Sequence, residues 1–418
     1  GDSNKPFEWL SGGLFFGIGK GGGGIESVES CKDALSLLNG IDENLDAALE
    51  ETSAEVSADA TAKTDSSAAD PSQSTFLASR LARLRFLLYD ERRVTSQQEH
   101  RRINPVVAGA TVQALVGQSL QHLTPKLLEN LQGLPFESRK HVAAIFNYLL
   151  VCGCEGSDRD AYAALMISYR DYVDANFDKI MGPIVKGHYC SSSEAADVGL
   201  HCGSMFRSCM KHVCLYRHVV LSTDAVKRYV LPFLDDFVTL PNFDISSDAM
   251  ESLKLIFTAG SESAQPHLDE VQQKEMADLA AAFLNRDYEV IWDERFNPKL
   301  MTDQANYMTK RIALQILSTV LLTRSNYAVM IKYVNSRKNL ILIMHLLRDT
   351  SPHITLDAFH VFKVFVANPN KIPEVVKILH DNSTKLCAYL ETLHKDKEAS
   401  DTQFRDEKAL IIQTIQSL

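Results

Sequence analysis

The sequence predicts an all-α chain: a solenoid of helical repeats preceded by a disordered, acidic N-terminal tail. Three observations carry that expectation. From about Ser79 to Leu418, apolar residues recur at the helical spacing i, i+3, i+4, i+7. No stretch alternates at period two, and no Asn-Gly turn sits between β-branched runs. Residues 1–75 hold 14 acids against 4 bases while the rest balances at 39 of each, so the net charge of −10 belongs to the tail.

The elements follow in order. Trp9–Ile18 (WLSGGLFFGI) is apolar but too short and too broken by glycine to span a bilayer. Gly21–Gly24 is a joint. Ile25–Leu49 has the pattern of a helix, with Val28, Cys31, Leu35, Leu38 and Leu45 roughly on one face. Glu51–Ser74 is rich in Ser, Ala and acids; it lacks the apolar surface to offset a chain entropy of roughly 1–2 kcal/mol per residue, which predicts disorder. The expected boundary thus separates a low-complexity tail, 1–75, from a repeat domain, 76–418. Deleting the tail should leave that domain's stability nearly unchanged.

Within the repeat domain a basic helix starts near Ser79, and Leu123-Thr124-Pro125 opens another with proline in its first turn. Lys140–Cys152, Ala161–Val173, Ser193–Cys214, Asp224–Phe237 and Ser247–Phe257 read as further helices. Toward the C-terminus the faces become regular: Leu314, Leu317 and Leu321; then Leu340, Ile343, Met344 and Leu347; then Ala358, Val361, Phe362 and Phe365; then Leu386, Tyr389, Leu390 and Leu393. Breaks fall at Thr323–Asn326, Ser336–Lys338, Ser351-Pro352 and Asn368-Pro369, where proline disfavours helix in the residue before it. Units of roughly 40–50 residues with two or three helices match armadillo and HEAT arrays, whose stacked faces leave a long surface for an extended partner.

Several chemistries are excluded or weak. The repeat domain has no basic excess to neutralise phosphates, which argues against nucleic acid. Gly17, Gly19 and Gly22 satisfy G-x-G-x-x-G, yet no β-branched strand precedes them as a dinucleotide site requires. His188, Cys190, His201, Cys202, Cys209, His212 and Cys214 cluster in sequence, but the paired spacing of a zinc site is missing and buried thiols in a helix core explain the cysteines better. Nucleophile elbows, H-E-x-x-H helices, EF-hand loops and kinase motifs are absent, so neither an enzyme nor a cofactor is expected. Eight scattered cysteines suit a reducing, cytoplasmic setting.

The segments NYMTKR (Asn306–Arg311), LLTRSNYAVMIKYV (Leu321–Val334), NLILIMHLLRD (Asn339–Asp349) and AFHVFKVFVANPNK (Ala358–Lys371) follow one another in order, separated by only four to nine residues. Weaker echoes lie at IFNYLL (Ile145–Leu150), CGSMFRSCMKH (Cys202–His212), NFDISSDA (Asn242–Ala249) and FRDEKALIIQTI (Phe404–Ile415). Together, over about Leu81 to Leu418, these segments resemble the scaffold family of calcium-binding protein 39, or Mouse protein-25.

The resemblance implies an all-helical, non-catalytic monomer that binds and allosterically activates a sterile-20-like kinase or pseudokinase, in signalling of cell polarity, morphogenesis or division. On that reading Tyr307, Arg311, Arg324 and Tyr327 grip the kinase on a concave face. Leu340, Met344, Leu347 and Arg348 form a separate pocket for the partner's C-terminal hydrophobic tail. Tyr327 stands where the family shows phenylalanine, while Ile341, Asp381 and Gln315 replace expected lysines. Arg311 and Arg324 also read as solvated helix-end charge, and Met344 as plain core. The alternative function is a solenoid receptor for extended cargo peptides, which would want a Trp/Asn ladder; the chain has two tryptophans, Trp9 and Trp292.

Overall fold

The computed structural model describes residues 24–58, 72–90, 102–103, 105–151, 159–188, 196–261 and 266–418. These fall into two compact units, Gly1–Leu123 and Thr124–Leu418. The glycine-rich motif at Gly17–Gly22 lies outside the described residues.

The first unit is a helical hairpin with a third helix against it. Helix α1 (Gly24–Ala58) packs on α2 (Gln73–Leu88), and both contact α3 (Pro105–Val116). On α1 the buried residues are Cys31, Ala34, Leu38, Ile41, Leu45 and Ala48. Their steps of three and four are the heptad spacing that keeps one seam facing a partner helix. On α2 the seam is Leu77, Leu81, Leu84 and Leu88. The two helices run antiparallel: Glu51 Oε2 accepts from the Ser74 amide at 2.9 Å, while Asn44, earlier on α1, bonds Arg80, later on α2. Two-residue strands, β1 (Tyr89–Asp90) and β2 (Arg102–Ile103), pair antiparallel.

The helix expected at Ile25–Leu49 is therefore present, extends to Ala58, and is packed. The packed part of the chain begins well before the boundary placed at Phe76, and only residues 59–71 of the expected disordered stretch lie outside the described residues. Small residues, Ala34 and Ala48, complete the seam; counting only large apolar side chains hides its regularity.

The second unit comprises α4 (Leu123–Glu129), α5 (Phe136–Val151), α6 (Arg159–Ala175), α7 (Phe177–Gly187), α8 (Ala196–Met210), α9 (Val213–Val220), α10 (Thr223–Tyr229), α11 (Leu231–Asp235), α12 (Phe243–Thr258) and α13 (Glu270–Arg286). A π-helical segment, Glu289–Phe296, leads into α14 (Asn297–Leu300), α15 (Tyr307–Leu322), α16 (Tyr327–Val334), α17 (Arg337–Leu346), α18 (Pro352–Ala367), α19 (Pro373–Asp381), α20 (Ser383–Thr392), α21 (Lys395–Ser400) and α22 (Thr402–Gln416).

The packing pattern is that of an armadillo/HEAT-like repeat array. Helices α5, α8, α12, α15, α18 and α22 form one row, each against the next, and α6, α9, α13 and α16 form a second. Neighbours in the first row run parallel. Arg139 near the start of α5 meets Asp197 near the start of α8 at 2.8 Å, and further along both helices Asn147 donates to Ser204 at 2.8 Å. Further bridges join Arg207 to Asp248 at 2.7 Å and Lys363 to Glu407 at 2.8 Å. Gly203 permits the close approach of α8 and α12: a Cβ there would lie 1.7 Å from Asp248 Oδ2.

Two expected helices are each split. Ser193–Cys214 becomes α8 and α9 because His212 is extended (φ −109°, ψ 125°). Asp224–Phe237 becomes α10 and α11, with Pro232, which has no amide to donate, in the first turn of α11. The stripe Ala358, Val361, Phe362 and Phe365 is fully buried, and α18 ends at Asn368, held extended (φ −60°, ψ 117°) before Pro369. Trp292, with no exposed surface, packs edge-on to Tyr333 at 5.9 Å, so it cannot serve in a peptide-binding ladder. Behind it Tyr333 donates to Asn297 at 3.0 Å and Asn297 to Asn339 at 3.1 Å, satisfying buried polar groups that would each cost about 1–3 kcal/mol unpaired.

Candidate partner-binding surface

Helix α15 carries the first candidates. Asn306 caps it, its side chain accepting from the Thr309 amide at 2.9 Å. Ile312, Ala313, Ile316, Leu317 and Val320 turn inward toward α12 and α18. That leaves Tyr307 (42% exposed) and Met308 open to solvent at the first turn. Arg311 lies one turn on; its Nη1 donates to the Tyr307 hydroxyl at 3.5 Å, and its Nε is 3.5 Å from Asp357 Oδ2 on α18.

The second pair sits at the other end of the same helix. Thr323 turns extended, Arg324–Asn326 form a single 3₁₀ turn, and α16 starts at Tyr327. Buried Asn326 pins this turn, its Nδ2 donating to the Val320 carbonyl at 3.1 Å. Arg324 is exposed, and Tyr327 is 61% exposed beside it. Thirteen residues separate Arg311 from Arg324, about 20 Å at 1.5 Å per residue. The four residues thus form two Arg–Tyr pairs at opposite ends of α15 instead of one cluster.

The tail-pocket set divides differently. Leu340 and Leu347 are buried in the core, whereas Met344 is half-buried and Arg348 exposed. The Tyr389 hydroxyl on α20 donates to the Leu347 carbonyl. Burial raises the Tyr389 phenol above its ordinary value, and nearby Arg348 works against that rise. Ile341 is half-buried and Asp381 exposed.

A cleft of about 850 Å³ brings Tyr307 and Arg348 together, with Lys310, Leu342, Leu346 and Ile354 among its walls. Met344 is not one of its lining residues. Lys310 bonds Asp349 at 3.1 Å there. Burial raises the Asp349 carboxyl, but the Ser351 amide and Lys310 outweigh it and hold the group below the usual carboxylate range. The sequence reading missed this cleft. Its one signal is a lysine in the first turn of α15 and an aspartate after α17, too far apart in sequence for periodicity to connect.

Among the described residues the histidines and cysteines of this sequence cluster take separate packing and hydrogen-bonding roles. Cys202 and Cys209 are buried, His212 Nε2 bonds the Leu150 carbonyl at 2.9 Å, and His188 donates to the Ile184 carbonyl at 2.9 Å with its ring stacked on Phe237. Cys190 lies outside the described residues. Among the described residues no group of three His, Cys, Asp or Glu is placed to hold a metal ion, and no helix is long and apolar enough to cross a membrane.

Burial lowers the His188 imidazole to about 4. The unfolded chain therefore binds more protons than the folded one between pH 6.5 and 4, so this contribution is complete above pH 6.5 and is lost as pH falls. The loss should approach about 3 kcal/mol at pH 4. Denaturant unfolding at pH 7 and pH 5 checks it: His188→Phe should flatten the slope, although His212, lowered to about 4 by the same cause, keeps a second share. An unchanged slope would refute the assignment.

The comparisons with known proteins agree with this architecture. A family model described as Mo25-like matches residues 39–418. The degreening-related gene dee76 protein of Auxenochlorella protothecoides is 36% identical over 293 residues, covering 70% of this chain and 78% of that protein. The human calcium-binding protein 39-like is 35% identical over 298 residues, 70% of this chain and 74% of its own length. A Mo25-like protein of Schizosaccharomyces pombe is 33% identical over 293 residues, 70% and 76%. The helices pack as a repeat array and the family match begins inside α1 and runs to the last residue, so the chain belongs to the Mo25-like family.

Proposed function

We propose that the protein is a non-catalytic scaffold that binds a sterile-20-like kinase or pseudokinase through α15 and favours its active conformation. The observation that carries the reading is an Arg–Tyr pair at each end of one helix: exposed Tyr307 with half-buried Arg311, and exposed Arg324 with exposed Tyr327. Arginine and tyrosine are enriched among the few residues that dominate interface energies. Two patches about 20 Å apart suit a folded domain better than a short peptide. Activation then requires no catalytic group here: a scaffold that binds the closed kinase more tightly than the open one shifts the population by that difference. Four of the five described cysteines are buried among the helices, as small apolar side chains would be, which supports a reducing, cytoplasmic setting.

Met344 and Arg348 are the accessible part of the tail-pocket set and would receive an apolar partner tail. Isoleucine at 341 and aspartate at 381 leave that site with less positive charge for an acidic residue in the tail. Affinity capture with mass spectrometry identifies the partner; a kinase assay with and without the scaffold tests activation. No stimulation of any captured kinase would overturn the proposal. Met344→Ala is expected to weaken tail-peptide binding about tenfold, roughly 1.4 kcal/mol, while binding of the kinase domain itself is unchanged.

A further inference from the structure

The arginines that bridge neighbouring helices of the first row are not alike. Arg139, with its side chain 12% exposed, spends its nitrogens on Asp197 and on the Leu134 and Gln132 carbonyls, all within 2.9 Å. Arg207, 27% exposed, bonds the Asp248 carboxylate and carbonyl and the Ser252 hydroxyl. Arg311 is 36% exposed and makes one long hydrogen bond, to Tyr307, at 3.5 Å. Its Nε is buried, 3.5 Å from Asp357, and has no hydrogen-bond partner among the described residues. Asp357 in turn meets Gln315 Nε2 at 3.4 Å, a neutral amide that does not claim its charge.

We propose that Asp357 is a positioning residue. It holds Arg311 through the 3.5 Å ion pair at Nε, and neutral Gln315 leaves the carboxylate available to do so, while the 36% exposed guanidinium keeps donor capacity for a partner's carboxylate or carbonyl groups. Ordering a guanidinium in advance removes part of the entropy cost of binding through it. Tyr307 braces the guanidinium at Nη1. The inference rests on the reading that the exposed start of α15 meets a partner, but its core, the hold on Arg311, is a property of the free protein.

Two measurements test it on the full chain. With arginine labelled in ¹⁵N, the Arg311 Nε–H of the free protein should be ordered and slow to exchange. Asp357→Asn, nearly isosteric, should release it, and Gln315→Lys should do the same by taking the carboxylate. An Arg311 signal already mobile in the wild type, or unchanged in both variants, overturns the proposal. In titrations with the captured kinase, Asp357→Asn should weaken binding about fivefold, and should add no loss in an Arg311→Ala background. A loss that persists without Arg311 overturns the positioning role. If Arg311→Ala binds the partner normally, the kinase-binding reading of this end of α15 fails, and the free-protein signal still decides whether Asp357 holds the arginine.

Discussion

Replacing Arg324 and Tyr327 together by alanine is expected to abolish activation of the partner kinase while leaving the scaffold folded. Both side chains are exposed, and the turn that presents them is held by Asn326, which the variant keeps. Neither residue supplies core: the buried side chains of α16 are Val329, Tyr333 and Val334. Typical losses at interface hot spots are about 2–4 kcal/mol each, so the pair should weaken binding by well over a hundredfold even with imperfect additivity. The measurements are a binding titration, the kinase assay and a thermal melt. Full activation by a folded double variant would remove the scaffold assignment from this surface. Loss of activation with a lowered melting temperature would instead place the residues in the fold.

The other large effect concerns α1. Deleting residues 1–58 should destroy the first unit, contrary to the expectation that this segment is a dispensable tail. The deletion removes six residues of a heptad seam and re-exposes Leu77, Leu81, Leu84 and Leu88 on α2. At roughly 2 kcal/mol for each buried leucine or isoleucine, on the order of 10 kcal/mol of apolar burial is lost, as much as the whole stability of many domains. Limited proteolysis should then cut rapidly within residues 72–116, while the second unit, with its own core, resists. Leu38→Asp is the milder version, expected to act in the same direction by placing a charge in the seam. A deletion variant whose first unit keeps its protease resistance would show that α1 is not needed there.

Particular elements explain what could be read from the chain. The stripe Ala358–Phe365 and the stop at Asn368-Pro369 were legible because helical period and proline chemistry act within a dozen residues. So was the turn between Thr323 and Tyr327. The cut inside Ser193–Cys214 was not: His212 leaves the helical region with no proline or glycine beside it, and its ring bonds a carbonyl on α5, distant in sequence. The seam of α1 was half legible, since alanines carry little hydrophobic signal and still fill a helix–helix interface.

For the candidate site, the resemblance to the family nominated eight positions, and burial divided them. Spacing along α17 put Leu340, Met344 and Leu347 on one stripe, but packing buries the two leucines and leaves Met344 half open. Likewise Tyr307, Arg311, Arg324 and Tyr327 are close in sequence, yet the rise of α15 sets them apart as two pairs. The all-helical class, the family and the helix breaks were determined by the chain alone, because period, proline and segment resemblance are local properties. Which side chains remain available, which arginine is held without being used up, and whether the N-terminal segment packs were decided by tertiary structure, because each depends on surfaces and charges contributed by residues remote in sequence.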